Sequence, residues 1–288
     1  MTSETLAQLS TQIDNVFFVL GALILLIEIA ETLFKGSHKG RTFAEMLVSA
    51  STQIPSILVE VTILTAGYGA FFVLSDAFVP WVMPITWWSV ALVVLAADIV
   101  YYWEHRIAHQ VRLLWTQHAV HHSSRDYNII TGIRFGPLEG LWSLIAHLPL
   151  VFVGFPPQLI FFGLVVVLAY QTWIHTETIG RLGPLDRIFN TPSNHRVHHG
   201  SDDKYLDRNY GGILIVWDRL WGTFQAEEET PRYGLKRDFD SRNPLRVWFS
   251  ELPGLMRDVK SAQTWGDVWG YLVKAPGWKP GHSPDRSE

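Results

Sequence analysis

Nine of the twelve histidines in this chain of 288 residues fall in four short places, and the chain has no cysteine. His105 and His109 form an HxxxH, and His118, His121 and His122 form an HxxHH. His195, His198 and His199 form a second HxxHH, while His175 stands alone in Trp173-Ile174-His175-Thr176-Glu177. On a helix, steps of three and four residues return to nearly the same face, so each motif projects its imidazoles along one stripe. Neutral imidazole is a ligand for zinc, copper, iron and nickel. Without thiols, any bound metal must be held by nitrogen and oxygen. A mononuclear site takes roughly three to six ligands, so eight or nine imidazoles match two metals with about four or five each. A zinc-protease HExxH is excluded, because Glu104 precedes His105 instead of following it. The ordinary reading of a single histidine is a hydrogen-bonded structural residue, and it is kept for His38, His147 and His282.

The elements that must position these residues are apolar. Hydrophobic residues make up 48% of the chain and mean hydropathy is +0.13, between a soluble protein and a pure transporter. Net charge is -4, so no basic field for nucleic acid exists. The acidic N-terminus lacks the basic start of a secretory signal, so the first apolar run reads as a retained span. Apolar runs over 16–34, 54–75 and 80–102 predict three spans, the first carrying Glu28 and Glu31. Runs over 137–153 and 158–174, joined by Gly154-Phe155-Pro156-Pro157, predict a full or shallow hairpin. Lys35, Lys39 and Arg41 place the first connection in the cytoplasm by the positive-inside rule. The N-terminus is then outside, and the third span exits to the cytoplasm near Tyr102. All histidine motifs fall on that same side, although no histidine entered the topology argument. The tail from Ala275, rich in proline, glycine and charge, reads as disordered.

At the histidine motifs the chain resembles the fatty acid hydroxylase/sterol desaturase superfamily of membrane di-iron enzymes. A nearer resemblance, to alkylglycerol monooxygenase-like proteins, runs over roughly residues 98–240. It is carried by DIVYYWEHRIAH, LLWTQHAVHHSSRDYN, YQTWIHTETIGRLGPLDRIFNTPSNHRVHHG and DRNYGGILIVWDRLWGTF. The resemblance implies that His105, His109, His118, His121, His122, His195, His198 and His199 ligate two irons, with His175 as a ninth ligand. Gln171 stands one helical turn before His175, where some members carry another histidine. One departure is Gln110, where alkylglycerol monooxygenases carry a glutamate; an amide neither ligates as an anion nor takes a proton. Asp98, Glu139, Glu177, Asp207 and Asp218 are candidates to accept the outer N–H of a metal-bound histidine, Asp98 foremost. Asn190-Thr191-Pro192-Ser193 reads as the turn and cap that deliver the last box. Asn128 and Asn209 read as loop-fixing residues, and Arg134 and Arg196 as surface arginines or partners of an anionic head group.

The expected fold is all-α: an integral membrane helical bundle with about four or five membrane-embedded helices and a cytoplasmic helical cap holding the di-metal site. Expected divisions are 1–95, the N-terminal transmembrane helices; 96–240, the catalytic domain; and 241–288, a cytoplasmic C-terminal segment. The expected activity is O2-dependent hydroxylation of a lipid alkyl chain, extending to ether-lipid cleavage on the nearer resemblance. Oxygen insertion into a C–H bond requires a redox metal, which zinc is not. Electrons must come from outside, since no flavin or nucleotide fingerprint is present. A reduced pterin such as tetrahydrobiopterin, implied by the nearer resemblance, or a ferredoxin- or cytochrome-type protein would serve. Rival readings are a fatty-acyl or sterol desaturase, a zinc-dependent lipid hydrolase needing only three or four of the histidines, and a metal-handling membrane protein. The absence of a eukaryotic sorting signal points to a bacterial inner membrane.

Overall fold

A computed structural model describes residues 1–35 and 39–281; His38 and His282 lie outside the described residues. No strand forms among the described residues, only isolated bridges between Phe189 and Leu214 and between Gly200 and Tyr233. Two helices, α1 (Ser3–Lys35) and α2 (Lys39–Phe78), contain the expected spans 16–34 and 54–75. Both are long and apolar enough to cross a membrane. Their apolar side chains face outward: Phe18, Leu47 and Leu58 are 73%, 71% and 74% exposed. A core helix of a soluble protein buries such a surface, whereas in a bilayer lipid covers it.

The third span differs from its sequence reading. Helix α3 runs over Trp87–Gln110 instead of 80–102. Pro80 and Pro84 keep the preceding segment out of helix. Thr86 and Ser89 then form a reciprocal capping box that starts α3. The helix continues past Tyr102 and carries the HxxxH on its own last turns. Val111 ends it, and α4 (Arg112–His122) presents the first HxxHH.

The expected hairpin is α5 (Glu139–His147) with α6 (Pro149–Phe152), followed by α7 (Pro157–Tyr170). Helix α7 packs on both α1 and α3. At Gly163 an added Cβ would stand 3.0 Å from the Val93 carbonyl oxygen and from Ala97, so glycine permits this close approach of α7 to α3. Phe71, Val93, Leu144, Val151, Leu159 and Phe162 form the core between these helices. The remaining helices are short: α8 (Pro192–His198), α9 (Val216–Leu220), α10 (Pro244–Trp248), α11 (Leu252–Ser261) and α12 (Trp265–Val273). The chain keeps packing after Ala275, where the Trp278 ring meets Tyr271 at 5.4 Å.

Polar contacts define the two ends of the bundle. At one end the N-terminal amine donates to the Ile85 carbonyl (3.1 Å), and Met83 donates to the Gly154 carbonyl (2.8 Å). At the other, Glu28 of α1 accepts from the Ile129 N–H (2.9 Å) and the Thr176 hydroxyl (2.5 Å). Glu45 of α2 pairs there with Arg134 at 3.0 Å. This is the end where α1 stops and α2 begins, and the histidines gather at it.

Candidate metal centre

All nine motif histidines are buried, and they separate into two groups. His105, His109, His118, His122 and His198 form one; His121, His175, His195 and His199 form the other. Within each group the nitrogens lie within 4.8 Å of one another. Each HxxHH is therefore divided, which a single-stripe reading does not anticipate. Residues at i and i+4 share a face, so His118 pairs with His122 and His195 with His199. The residue at i+3 stands roughly 100° from its neighbour at i+4, which turns His121 and His198 toward the opposite group.

The ring nitrogens are oriented from outside. His105 Nδ1 donates to the Tyr210 carbonyl (2.9 Å), His198 Nδ1 to the Arg208 carbonyl (2.9 Å) and His175 Nδ1 to the Gln171 carbonyl (3.0 Å). His118 Nδ1 donates to Glu139 Oε1 at 2.7 Å. A carbonyl only accepts, so in His105, His175 and His198 the proton sits on Nδ1 and Nε2 of the neutral ring presents a bare lone pair. The Nε2 atoms of the cluster face one another. In the first group Nε2 of His118 lies 3.0 Å from that of His105 and 3.2 Å from that of His122, which is 3.1 Å from His198 Nε2. In the second, His175 Nε2 lies 3.2 Å from His121 Nε2 and 2.9 Å from His195 Nε2. Protonation does not relieve this, because burial pushes His122, His195, His198 and His199 well below the ordinary imidazole pKa. Burial likewise takes His109 down to about 4. Convergent neutral nitrogens with fixed outer protons fit cations, and each group could hold a metal ion.

Of the five candidate carboxylates, two reach a histidine. Glu139 meets His118, and Asp207 lies 3.6 Å from His109 Nδ1. Asp98 instead fastens a loop, accepting from Ile213 N–H (2.6 Å), Leu214 N–H (3.1 Å) and the Trp217 indole (2.8 Å). Asp218 acts one step further out. It accepts from Tyr210 N–H (2.8 Å), whose residue offers its carbonyl to His105. Glu177 accepts from the Tyr233 hydroxyl at 3.1 Å. The Gln171 side chain turns away from the cluster, accepting from Tyr101 (2.7 Å) and donating to the Val167 carbonyl (3.2 Å). Its backbone carbonyl alone serves His175.

Arg134 and Arg196 are buried rather than superficial. Arg196 makes a forked pair with Glu227 at 2.7 and 2.8 Å. Asn128 caps a 3₁₀ turn over Ile129–Ile133. Asn209 donates to the carbonyls of Asn194 (2.9 Å) and Gln225 (2.8 Å). The supporting carbonyls of Arg208 and Tyr210 escaped the sequence reading. Their one signal was the Asp207-Arg208-Asn209 run, in which Asp207 and Asn209 both adopt φ of 57°. Asp and Asn tolerate that left-handed conformation best among residues with a Cβ.

Residues 90–223, a stretch that starts in α3 and ends beyond α9, match the family model for fatty acid hydroxylase. Together with the two outward-facing apolar helices, this makes the chain a membrane protein. Among its relatives is human alkylglycerol monooxygenase, 38% identical over 269 residues that cover 92% of this chain and 59% of the relative. The Xenopus tropicalis alkylglycerol monooxygenase is 41% identical over 202 residues, 70% of this chain and 44% of the relative. The ornithine lipid hydroxylase OlsE of Rhizobium tropici is 36% identical over 138 residues, 47% and 41% respectively. The chain thus spans about half the length of the curated relatives it matches. These relatives come from animals and a bacterium alike and lend the bacterial inner membrane no support. No solved structure matches.

Proposed function

We propose that this chain is a membrane di-iron oxygenase that inserts one oxygen atom of O2 into an alkyl C–H bond of a lipid. The second oxygen atom leaves as water, with two electrons and two protons. The observation that carries the reading is the pair of buried histidine groups, five and four imidazoles with converging nitrogens, four of whose rings are held at Nδ1 from outside by carbonyls and a carboxylate. His105, His109, His118, His122 and His198 hold one iron, and His121, His175, His195 and His199 the other. Two irons supply the dioxygen activation that C–H oxidation requires.

The protein's own part is to orient and to exclude. Glu139, the Tyr210, Arg208 and Gln171 carbonyls and Asp218 behind them fix the rings, which fixes where ligand lone pairs point. Burial keeps His109, His122, His195, His198 and His199 neutral, hence competent ligands at ordinary pH, and keeps bulk water from the reacting carbon. An external donor, either a reduced pterin or an electron-transfer protein, delivers the electrons. Where the attacked carbon adjoins an ether oxygen, as the alkylglycerol monooxygenase relatives suggest, the product is a hemiacetal that collapses to an aldehyde and a free glycerol. The site stands at the end of the α1–α2 hairpin marked by Lys35, Lys39 and Arg41, which by the positive-inside rule is cytoplasmic.

Comparative lipid mass spectrometry under labelled dioxygen, with cells making the wild-type chain or His198→Ala, tests this. Label in a lipid or in a released aldehyde, present in the wild type alone, is the expected result. Equal labelling in both, or wild-type protein that binds no iron, overturns it.

A further inference from the structure

One large cavity adjoins the first histidine group and has no part in the reading above. It occupies about 740 Å³ and reaches His109, His122 and His198 of that group and His199 of the other, a volume typical of small-molecule sites. Five basic and three acidic side chains line it. Three of the bases are neutralised: Arg112 by Asp258, Lys236 by Asp203 and Arg237 by Glu251. Of the acids, Asp203 and Glu251 are used in those pairs, and Asp207 faces His109. Arg106 and Arg208 make their hydrogen bonds to neutral oxygens, the Tyr102 hydroxyl (3.0 Å) and the Gly222 carbonyl (3.3 Å). Because His109 is neutral, Asp207 keeps its charge, and the cavity holds two guanidinium groups outside any ion pair against this one further carboxylate.

The same edge of the cavity meets an exposed apolar surface. Trp221 lines the cavity and is 37% exposed, and its ring lies 5.0 Å from that of Trp103, itself 39% exposed. Leu92, Leu95 and Trp103 all lie exposed along α3, and Leu220 beside Trp221 is 66% exposed. An apolar stripe thus runs along α3 to the lip of a chamber whose uncompensated charge is positive. Guanidinium binds oxyanions by paired hydrogen bonds, so such a chamber favours an anionic occupant.

We propose that this cavity holds the oxyanion head group, phosphate or carboxylate, of the lipid substrate. Arg106 and Arg208 are its counter-charges, and Trp103 and Trp221 are the lip past which the alkyl chain reaches the first histidine group. The proposal rests on the lipid-oxidising reading and deepens it: Arg106 and Arg208 select among lipids by head-group charge, independently of the chain.

The test measures binding by native mass spectrometry, using the full iron-loaded chain in nanodiscs of uncharged lipid. The probes are hexadecylglycerol ether, its phosphate monoester, and inorganic phosphate. The phosphate monoester is expected to bind about tenfold or more tightly than the uncharged ether, with inorganic phosphate failing to displace it at equal concentration. In the Arg106→Gln/Arg208→Gln double variant the two lipids should bind alike, with iron content and elution profile as in the wild type. Equal binding of both lipids to the wild type overturns the proposal. So does a preference that survives in the double variant, or inorganic phosphate binding as tightly as the phosphorylated lipid, which would mark a site for soluble anions. The wild-type comparison decides even if the double variant does not fold. Because binding is read and turnover is not, failure here is distinct from failure of the oxidation reading.

Discussion

At the scale of single residues, neighbours in sequence have separate duties. His198 belongs to the group of five and His199 to the group of four, so on the di-iron proposal replacing either by alanine removes a ligand from a different metal. Each variant is expected to lose about half of the bound iron and essentially all oxidation, measured by metal analysis beside labelled-oxygen incorporation. A zinc-dependent lipid hydrolase using three or four histidines would tolerate most such changes. Glu139 fixes His118 without belonging to either group. Glu139→Gln keeps an oxygen acceptor but removes the charge, and should weaken activity or metal affinity about 10- to 100-fold with the fold intact. Unchanged iron affinity and turnover in that variant would remove Glu139 from the account.

At the scale of elements, α1 and α2 also help to build the site, because carboxylates near the site end clamp the segments that carry the histidines. Glu28 holds the backbone at Ile129 and the hydroxyl of Thr176, next to His175. Glu45 holds Arg134, which also donates to the Val120 carbonyl in the middle of the first HxxHH (3.2 Å). Glu45→Ala leaves a buried, unpaired guanidinium and should cost about 3–5 kcal/mol. Glu45→Leu combined with Arg134→Met should restore much of that loss. Thermal unfolding in detergent gives both values, and a double variant as unstable as the single one would refute the pairing. Neither role was legible locally. A carboxylate in an apolar helix signals that a partner exists, but the partners lie 89 and 101 residues away.

At the scale of the whole molecule, metal and pH act on one quantity, the repulsion of crowded neutral imidazoles. Burial depresses His122, His195, His198 and His199 well below 6.5, and His109 to about 4. In the unfolded chain these groups titrate near 6.5, so between the two values the unfolded state binds more protons. Stability of the metal-free protein is then fully present above about pH 6.5 and falls as pH drops toward 4. Chelator-treated protein should show that decline in its unfolding midpoint, and should unfold at lower temperature than iron-loaded protein at every pH. A midpoint independent of both iron and pH would mean that the histidines do not converge as described.

The sequence alone determined the residue types and their helical spacing. That was enough to select the nine histidines that converge, to leave nitrogen and oxygen as the available ligand atoms and to expect two metals, because helical periodicity is a local property. It also located the long apolar helices, since about 20 apolar residues have few alternatives to a span. Tertiary structure decided the rest. Which histidine joins which group depends on how α3, α4 and α8 meet, so each HxxHH divides where a local reading keeps it whole. Asp98 looked like a partner for a ring and instead fastens the loop over 213–217. The partners of three rings are backbone carbonyls, a group every residue possesses and no sequence distinguishes. Spacing fixes the direction of a side chain relative to its own helix; only the packing of helices fixes what that side chain meets.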